Sequence, residues 1–163
     1  MRRLSVIFII LLFSIVEGYC FDYSENEESK YSVRFLGFPV VRVNIRNGPI
    51  DSDSGAYQIS IEANTTKFWS MFYSVNNFYW TYLDTLGMPL IYKRNIDEKS
   101  YENETEQTFD HRFNRIYYDE KTAIDHPGEL ENFFSGLFRL RALPLEAGLV
   151  DSFYINAERA IWL

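Results

Sequence analysis

The chain predicts a mainly β fold with one helix: a strongly curved antiparallel sheet or incomplete β-barrel packed against a single amphipathic helix. Three observations carry this. Aromatic residues make up 18% of the sequence, and tyrosine and phenylalanine fit pleated, half-buried surfaces. Apolar and polar residues alternate with period two in most segments between residues 31 and 119. A helical period appears once, over Glu129 to Arg141.

The N-terminus reads as an export signal over residues 1–18. Arg2 and Arg3 form a basic start, Leu4 to Val16 is apolar apart from Ser5 and Ser14, and Val16 and Gly18 supply the small residues a signal peptidase needs. That apolar run is too short for a spanning helix, so the mature chain is not expected to span a membrane. Cys20, the sole cysteine, leaves a lipid-anchored N-terminus open, although Glu17, Gly18 and Tyr19 before it are poor lipidation context. One cysteine excludes an intramolecular disulfide. Residues 19–30 are acidic and serine-rich and are expected to form a disordered leader. Residues 31–163 have the length of one domain, which buries roughly two thirds of its unfolded surface.

In order, Tyr31, Val33 and Phe35 alternate with Ser32 and Arg34 to form the first strand. After a Gly37–Pro39 corner, Val41, Val43 and Ile45 alternate with Arg42, Asn44 and Arg46. Asn47 to Pro49 and Asp51 to Gly55 are turn chemistry. Tyr57, Ile59, Ile61 and Ala63 then mark the buried side of a third strand. Lys67 to Val75 is aromatic without strict alternation, which leaves a short helix or an irregular strand open. Phe78 to Leu83 reads as a strand, Asp84 to Gly87 as a turn, and Pro89 to Ile96 as the next strand. Glu102, Glu104 and Glu106 alternate with Asn103, Thr105 and Gln107 in a polar strand leading to Phe109, and Arg115 to Asp119 returns after Asn114. The helix follows near 129–141, capped by Asp125 or Gly128, with Leu130, Phe133, Phe134, Leu137 and Phe138 on its apolar stripe and Pro144 and Gly148 ending it. Phe153 and Ile155 begin a last strand, and residues 160–163 stop in mid-pattern.

The net charge is −7. A surface this acidic repels phosphate backbones and anionic lipid heads, which argues against nucleic acid as a partner. No constellation for catalysis stands out. His111 and His126 each follow an aspartate, but no third ligand completes a metal set, so no metal or cofactor is expected and the two read as solvated turn residues. Ser135 lacks a nucleophile elbow. The glutamate row of residues 102, 104 and 106 is read as a solvated face rather than a calcium site.

Functional promise lies in the aromatic stretch Phe68, Trp69, Phe72, Tyr73, Phe78, Tyr79, Trp80 and Tyr82. Neighbours on a strand point to opposite sides, so not all of these can face the core. Some must line a cavity, cover a barrel mouth or form an exposed patch, against the duller reading of ordinary core. A second expectation concerns Arg141, which falls in the helix's apolar stripe and must either snorkel off the helix end or pair with a carboxylate. Asp84 and Asp110, each at a strand end, are the expected partners in an architectural ion pair. Arg139 points away from that stripe.

The segments Leu83-Asp84-Thr85-Leu86-Gly87-Met88-Pro89, Thr108-Phe109-Asp110 and Phe134 to Gly148, together with the Gly37-Phe38-Pro39 corner and the export signal, resemble an exported bacterial family catalogued as domain of unknown function 3108. The resemblance spans nearly all of the mature chain. It implies a curved antiparallel sheet or barrel with one helix, in the periplasm or at the outer-membrane periphery, and no established reaction. Such domains usually continue for several more strands, so the chain is expected to be incomplete at its C-terminus. The function expected is a non-enzymatic envelope protein binding an apolar ligand, a lipid or acyl chain. The alternative is an assembly module presenting its aromatics to another envelope protein.

Overall fold

The computed structural model describes residues 26–50, 56–118, 122–143, 146–157 and 160–162. The export signal, Cys20, most of the expected leader, the Asp51–Gly55 turn and Pro144 lie outside the described residues.

Alternation becomes strand wherever it was clean. Strands β1 (Glu27–Phe35), β2 (Phe38–Pro49) and β3 (Tyr57–Thr65) open the chain, and a one-turn helix α1 (Lys67–Ser70) follows. Next come β4 (Asn76–Leu83), β5 (Pro89–Glu98), β6 (Tyr101–Asp110), β7 (Arg115–Tyr118) and β8 (Thr122–Asp125). A short strand β9 (Leu130–Asn132) leads into helix α2 (Phe133–Ala142), and β10 (Tyr154–Ala157) and β11 (Ala160–Trp162) finish the chain. Strands β1 to β8 form one antiparallel meander in sequence order, and β11-β10-β9 form a second, three-stranded sheet. Among the described residues β1 and β8 do not pair, so the meander is an open sheet rather than a closed barrel.

The inner face of the meander is set by register. Ile59 lies opposite Thr81, Thr81 opposite Tyr92, Tyr92 opposite Gln107 and Gln107 opposite Tyr118. This row and its neighbours pack against α2. One core cluster joins Val41, Val43, Tyr57, Ile59, Ile61 and Leu83 of the sheet to Phe138 of α2. Phe134 of α2 adds edge contact to the Tyr79 ring at 5.2 Å. A second cluster of Phe109, Ile116, Tyr118 and Leu130 joins the far end of the meander to β9. The glutamate row of β6 is on the solvent side, and Lys93 pairs with Glu106 directly across the β5–β6 ladder at 2.8 Å.

Three expectations need correction. Residues 27–30 are not leader but the start of β1, because Glu27 to Lys30 complete a ladder with Asn44 to Asn47. The helix does not begin at Glu129. Leu130 to Asn132 pair in parallel with Tyr154 to Asn156, and Asn132 caps α2 by accepting from the Phe134 and Ser135 amides at 2.9 and 3.0 Å. Ser135 returns the contact by accepting from the Asn132 amide at 3.0 Å, which closes a capping box. Leu130 is therefore buried from a strand and not from the helical stripe.

The third correction is the partner of Arg141. Its guanidinium pairs with Glu27 at 3.1 Å, fastening the end of α2 to the edge strand β1. Asp84 and Asp110 have other work. Asp84 accepts from the Leu86 and Met88 amides at 2.8 and 2.9 Å, and Asp110 from the Arg112 and Phe113 amides at 3.1 Å each, so both carboxylates hold turns. Arg139, on the other side of α2, pairs with Glu129, Glu131 and Asp151 and lies over the Phe153 ring at 4.9 Å.

Candidate functional site

Between β3 and β4 the chain leaves the sheet and returns. The excursion is pinched at its base, where the Thr65 amide donates to the Val75 carbonyl and the Val75 amide donates to the Thr65 hydroxyl, both at 2.9 Å. Thr66 ties the excursion to β2 by donating from its amide to the Val40 carbonyl at 2.8 Å and from its hydroxyl to the Pro39 carbonyl at 2.9 Å. On the other side the Tyr73 hydroxyl donates to Glu98 at 3.0 Å, a bond that raises the Tyr73 pKa. With both ends held, α1 and the turn after it carry Phe68, Trp69, Met71 and Phe72 outward.

Here the aromatics meet the β1–β2 hairpin. Phe35 and Phe38 close the ladder, and Leu36 and Gly37 turn it with φ of +49° and +83°, a tight turn of the mirror-image class that hairpins favour. Phe35 stands edge-on to Trp69 at 6.1 Å, Trp69 to Phe68 at 5.5 Å, and Phe68 to Phe72 at 5.9 Å. These rings are not core: Phe68 is 63% exposed, Phe72 60%, Phe38 65% and Leu36 81%. Exposed apolar side chains thus lie together on the surface of this end. Beside it runs a groove of about 1410 Å³, whose walls include Tyr31, Leu36, Phe38, Phe68 and Trp69 as well as Lys30, Arg42 and Lys67.

The eight aromatic residues singled out in sequence thus separate into three groups. Phe68, Trp69, Phe72 and Tyr73 belong to the exposed end. Tyr79 is on the inner face against Phe134. Phe78, Trp80 and Tyr82 are half-buried on the opposite face of β4, where Phe78 and Trp80 stack at 5.7 Å and 10°. Sequence reasoning missed Phe35, Leu36, Phe38 and Met71. The available signal was Phe35-Leu36-Gly37-Phe38 itself, because large apolar residues occupy a hairpin tip where asparagine, aspartate or glycine is usual.

A second concentration of chemistry is polar and buried, around β9. Glu131 is 1% exposed, touches Arg139 at 3.4 Å through one oxygen and has no hydrogen-bond partner on the other. Burial raises its pKa. His126 donates from Nδ1 to the Gly128 carbonyl at 2.6 Å, which leaves Nε2 as a buried acceptor without a partner, and burial lowers its pKa. His111 donates to the Pro89 carbonyl at 2.6 Å. The histidines are therefore backbone braces, and His126 is not the solvated turn residue expected. Among the described residues no three His, Cys, Asp or Glu side chains converge to hold a metal ion.

A further buried network ties the two sheets. The Tyr118 hydroxyl donates to Asn156 at 2.7 Å, and Asn156 donates to Gln107 at 2.6 Å. No reactive atom lies in this network, and its chemistry is architectural.

An open antiparallel meander is braced by one helix, and Phe35, Phe68, Trp69 and Phe72 gather at one end of it. The chain belongs to the protein family of unknown function DUF3108, whose family model matches residues 30–161. No curated protein and no solved structure matches it. Among the described residues no helix is long and apolar enough to cross a membrane.

Proposed function

We propose that the chain is an exported, non-enzymatic cell-envelope module that binds an acyl chain at its aromatic end. The observation that supports this reading is the joining of Phe35, Phe38, Phe68, Trp69 and Phe72 beside a groove of about 1410 Å³, large enough for a long alkyl chain. Each methylene removed from water contributes about 0.8 kcal/mol, so a chain of ten or more carbons binds without any charged anchor.

Titration with dodecanoate, below its micelle concentration, tests the reading by Trp69 fluorescence in a W80F/W162F background. A saturable blue shift that is lost in F38S/F68S is expected. An unchanged spectrum up to the micelle concentration contradicts it. Native mass spectrometry separates the alternative, an aromatic face for another envelope protein: that reading expects a lipid-free mass that shifts only with a protein partner.

A further inference from the structure

We infer that the aromatic end is a membrane-docking surface for an anionic bilayer, with the Phe35–Phe38 hairpin tip and the Phe68–Phe72 turn entering the headgroup boundary and a rim of free cations facing the phosphates.

The first argument is charge. A chain of net charge −7 should be repelled by an anionic surface. Its charges are not spread evenly. Three cations, Lys30, Arg42 and Lys67, line the groove at the aromatic end against one carboxylate, Glu62. Arg34 adds a fourth cation on β1 beside the hairpin tip. Only Lys30 of the four is neutralised, by Glu28 at 2.9 Å. Among the described residues Arg34, Arg42 and Lys67 have no ion-pair partner; Lys99 and Arg112 lack one too, whereas Lys93, Arg115, Arg139 and Arg141 are paired. Unpaired cations beside an apolar patch on an acidic chain indicate that the counter-charge comes from outside.

The second argument is shape. The most exposed apolar side chains of this end sit on two projecting tips, and a tip can enter an interface without the sheet following. Leu36 is the clearest case, 81% exposed at a φ of +49°, a backbone region that costs a leucine energy and favours asparagine or glycine. Folding alone gives no reason for leucine there. Phenylalanine, tryptophan and leucine above a cationic belt is the composition by which surface-bound helices settle at the acyl boundary, and it is built here from a hairpin and a turn.

This surface is independent of whether the groove also takes a free acyl chain. Co-sedimentation with phosphatidylglycerol–phosphatidylcholine vesicles, alongside pure phosphatidylcholine vesicles, tests it on the full mature chain. Binding to the anionic vesicles is expected, weakening as salt rises to 1 M, where screening falls to about 3 Å. Each cation removed should weaken it roughly fivefold, so R42Q/K67Q loses about 25-fold. L36S/F68S should abolish it while its far-ultraviolet circular dichroism matches the parent and it still unfolds cooperatively, because both side chains lie outside the two core clusters. Equal binding to both vesicle types, no binding to either, or unaltered binding by R42Q/K67Q overturns the inference. Dodecanoate binding without vesicle binding overturns this inference alone, whereas vesicle binding without dodecanoate binding overturns only the acyl-chain reading.

Discussion

Leu36 sets stability against function at a single residue. A left-handed backbone costs an L-residue about 1–2 kcal/mol, and asparagine relieves most of that. Leu36→Asn should therefore raise the unfolding free energy by up to about 1 kcal/mol and with it the denaturation midpoint, while weakening vesicle binding. A variant that is less stable would show that Leu36 has an intramolecular role. Arg141 and Glu27 are a different case. Both side chains are about one third exposed, so water screens the pair and a double-mutant cycle should return a coupling of only about 0.5–1 kcal/mol. That an arginine in the last turn of α2 would find a carboxylate was legible from its place in the apolar stripe. Which carboxylate was not, because Glu27 is 114 residues away in sequence and lies in a segment whose acidic, serine-rich composition reads as leader. Asp84 and Asp110 looked available only because the amides of their own turns are invisible in a pattern of side chains.

Glu131 and His126 give the fold opposite pH dependences. Burial raises the Glu131 pKa above its ordinary 4.5, so the native state holds that proton more tightly than the unfolded chain. Its contribution is intact below pH 4.5 and is lost as pH rises through the raised native value. Burial lowers the His126 pKa below 6.5, so its contribution is intact above pH 6.5 and is lost as pH falls through the lowered native value. Glu131→Gln removes the first dependence and leaves the second. Melting temperatures across pH 4 to 8 should show the variant gaining on the parent as pH rises. A constant difference between the two would show that Glu131 is ionised at the same pH in both states.

At the scale of elements, what alternates locally was readable and what pairs over distance was not. Most of β1 to β7 follows from period two and turn residues within its own sequence, but Glu27 to Lys30 read as leader and Asn47 to Pro49 read as a turn, and pairing with neighbouring strands takes both into the sheet. The helix was readable from Phe134, Leu137 and Phe138, but its start was not. Leu130 to Asn132 fit a helical stripe equally well, and only the parallel pairing with Tyr154 to Asn156 across α2 takes them into a sheet. Leu143, the residue before Pro144, is extended, which ends the helix as a following proline requires. Two substitutions measure how the elements are joined. Phe138→Ala empties the contact between α2 and the buried side chains of β2, β3 and β4 around Ile59 and Leu83, and should cost about 3–5 kcal/mol. Asn156→Ala leaves Tyr118 and Gln107 buried without their shared partner and should cost about 1–3 kcal/mol, lowering the midpoint of chemical denaturation. If Asn156→Ala is neutral, the second sheet is not fastened through that network.

For the whole molecule, the open meander explains why the aromatic end can be a surface at all. Among the described residues its edges are unpaired at β1, which carries Lys30 and Arg34, and at β8, which is four residues long; charge and shortness both discourage edge-to-edge association. The inner face is filled by α2, and Phe35, Leu36, Phe38, Phe68, Met71 and Phe72 are left exposed where the β1–β2 hairpin and the α1 excursion meet. The sequence showed that there were more aromatics than a core could take, but it spread them along one stretch, whereas the fold sends Tyr79 inward, stacks Phe78 on Trp80 and recruits Phe35 and Phe38 from another hairpin. The most direct test is a ¹H–¹⁵N spectrum of the protein recorded with and without dodecanoate. Amide shifts confined to residues 35–38 and 67–73 and the neighbouring groove walls are predicted. Shifts centred on the outer face of β4 at Phe78, Trp80 and Tyr82, with residues 35–38 and 67–73 unmoved, would contradict the assignment of function to the aromatic end.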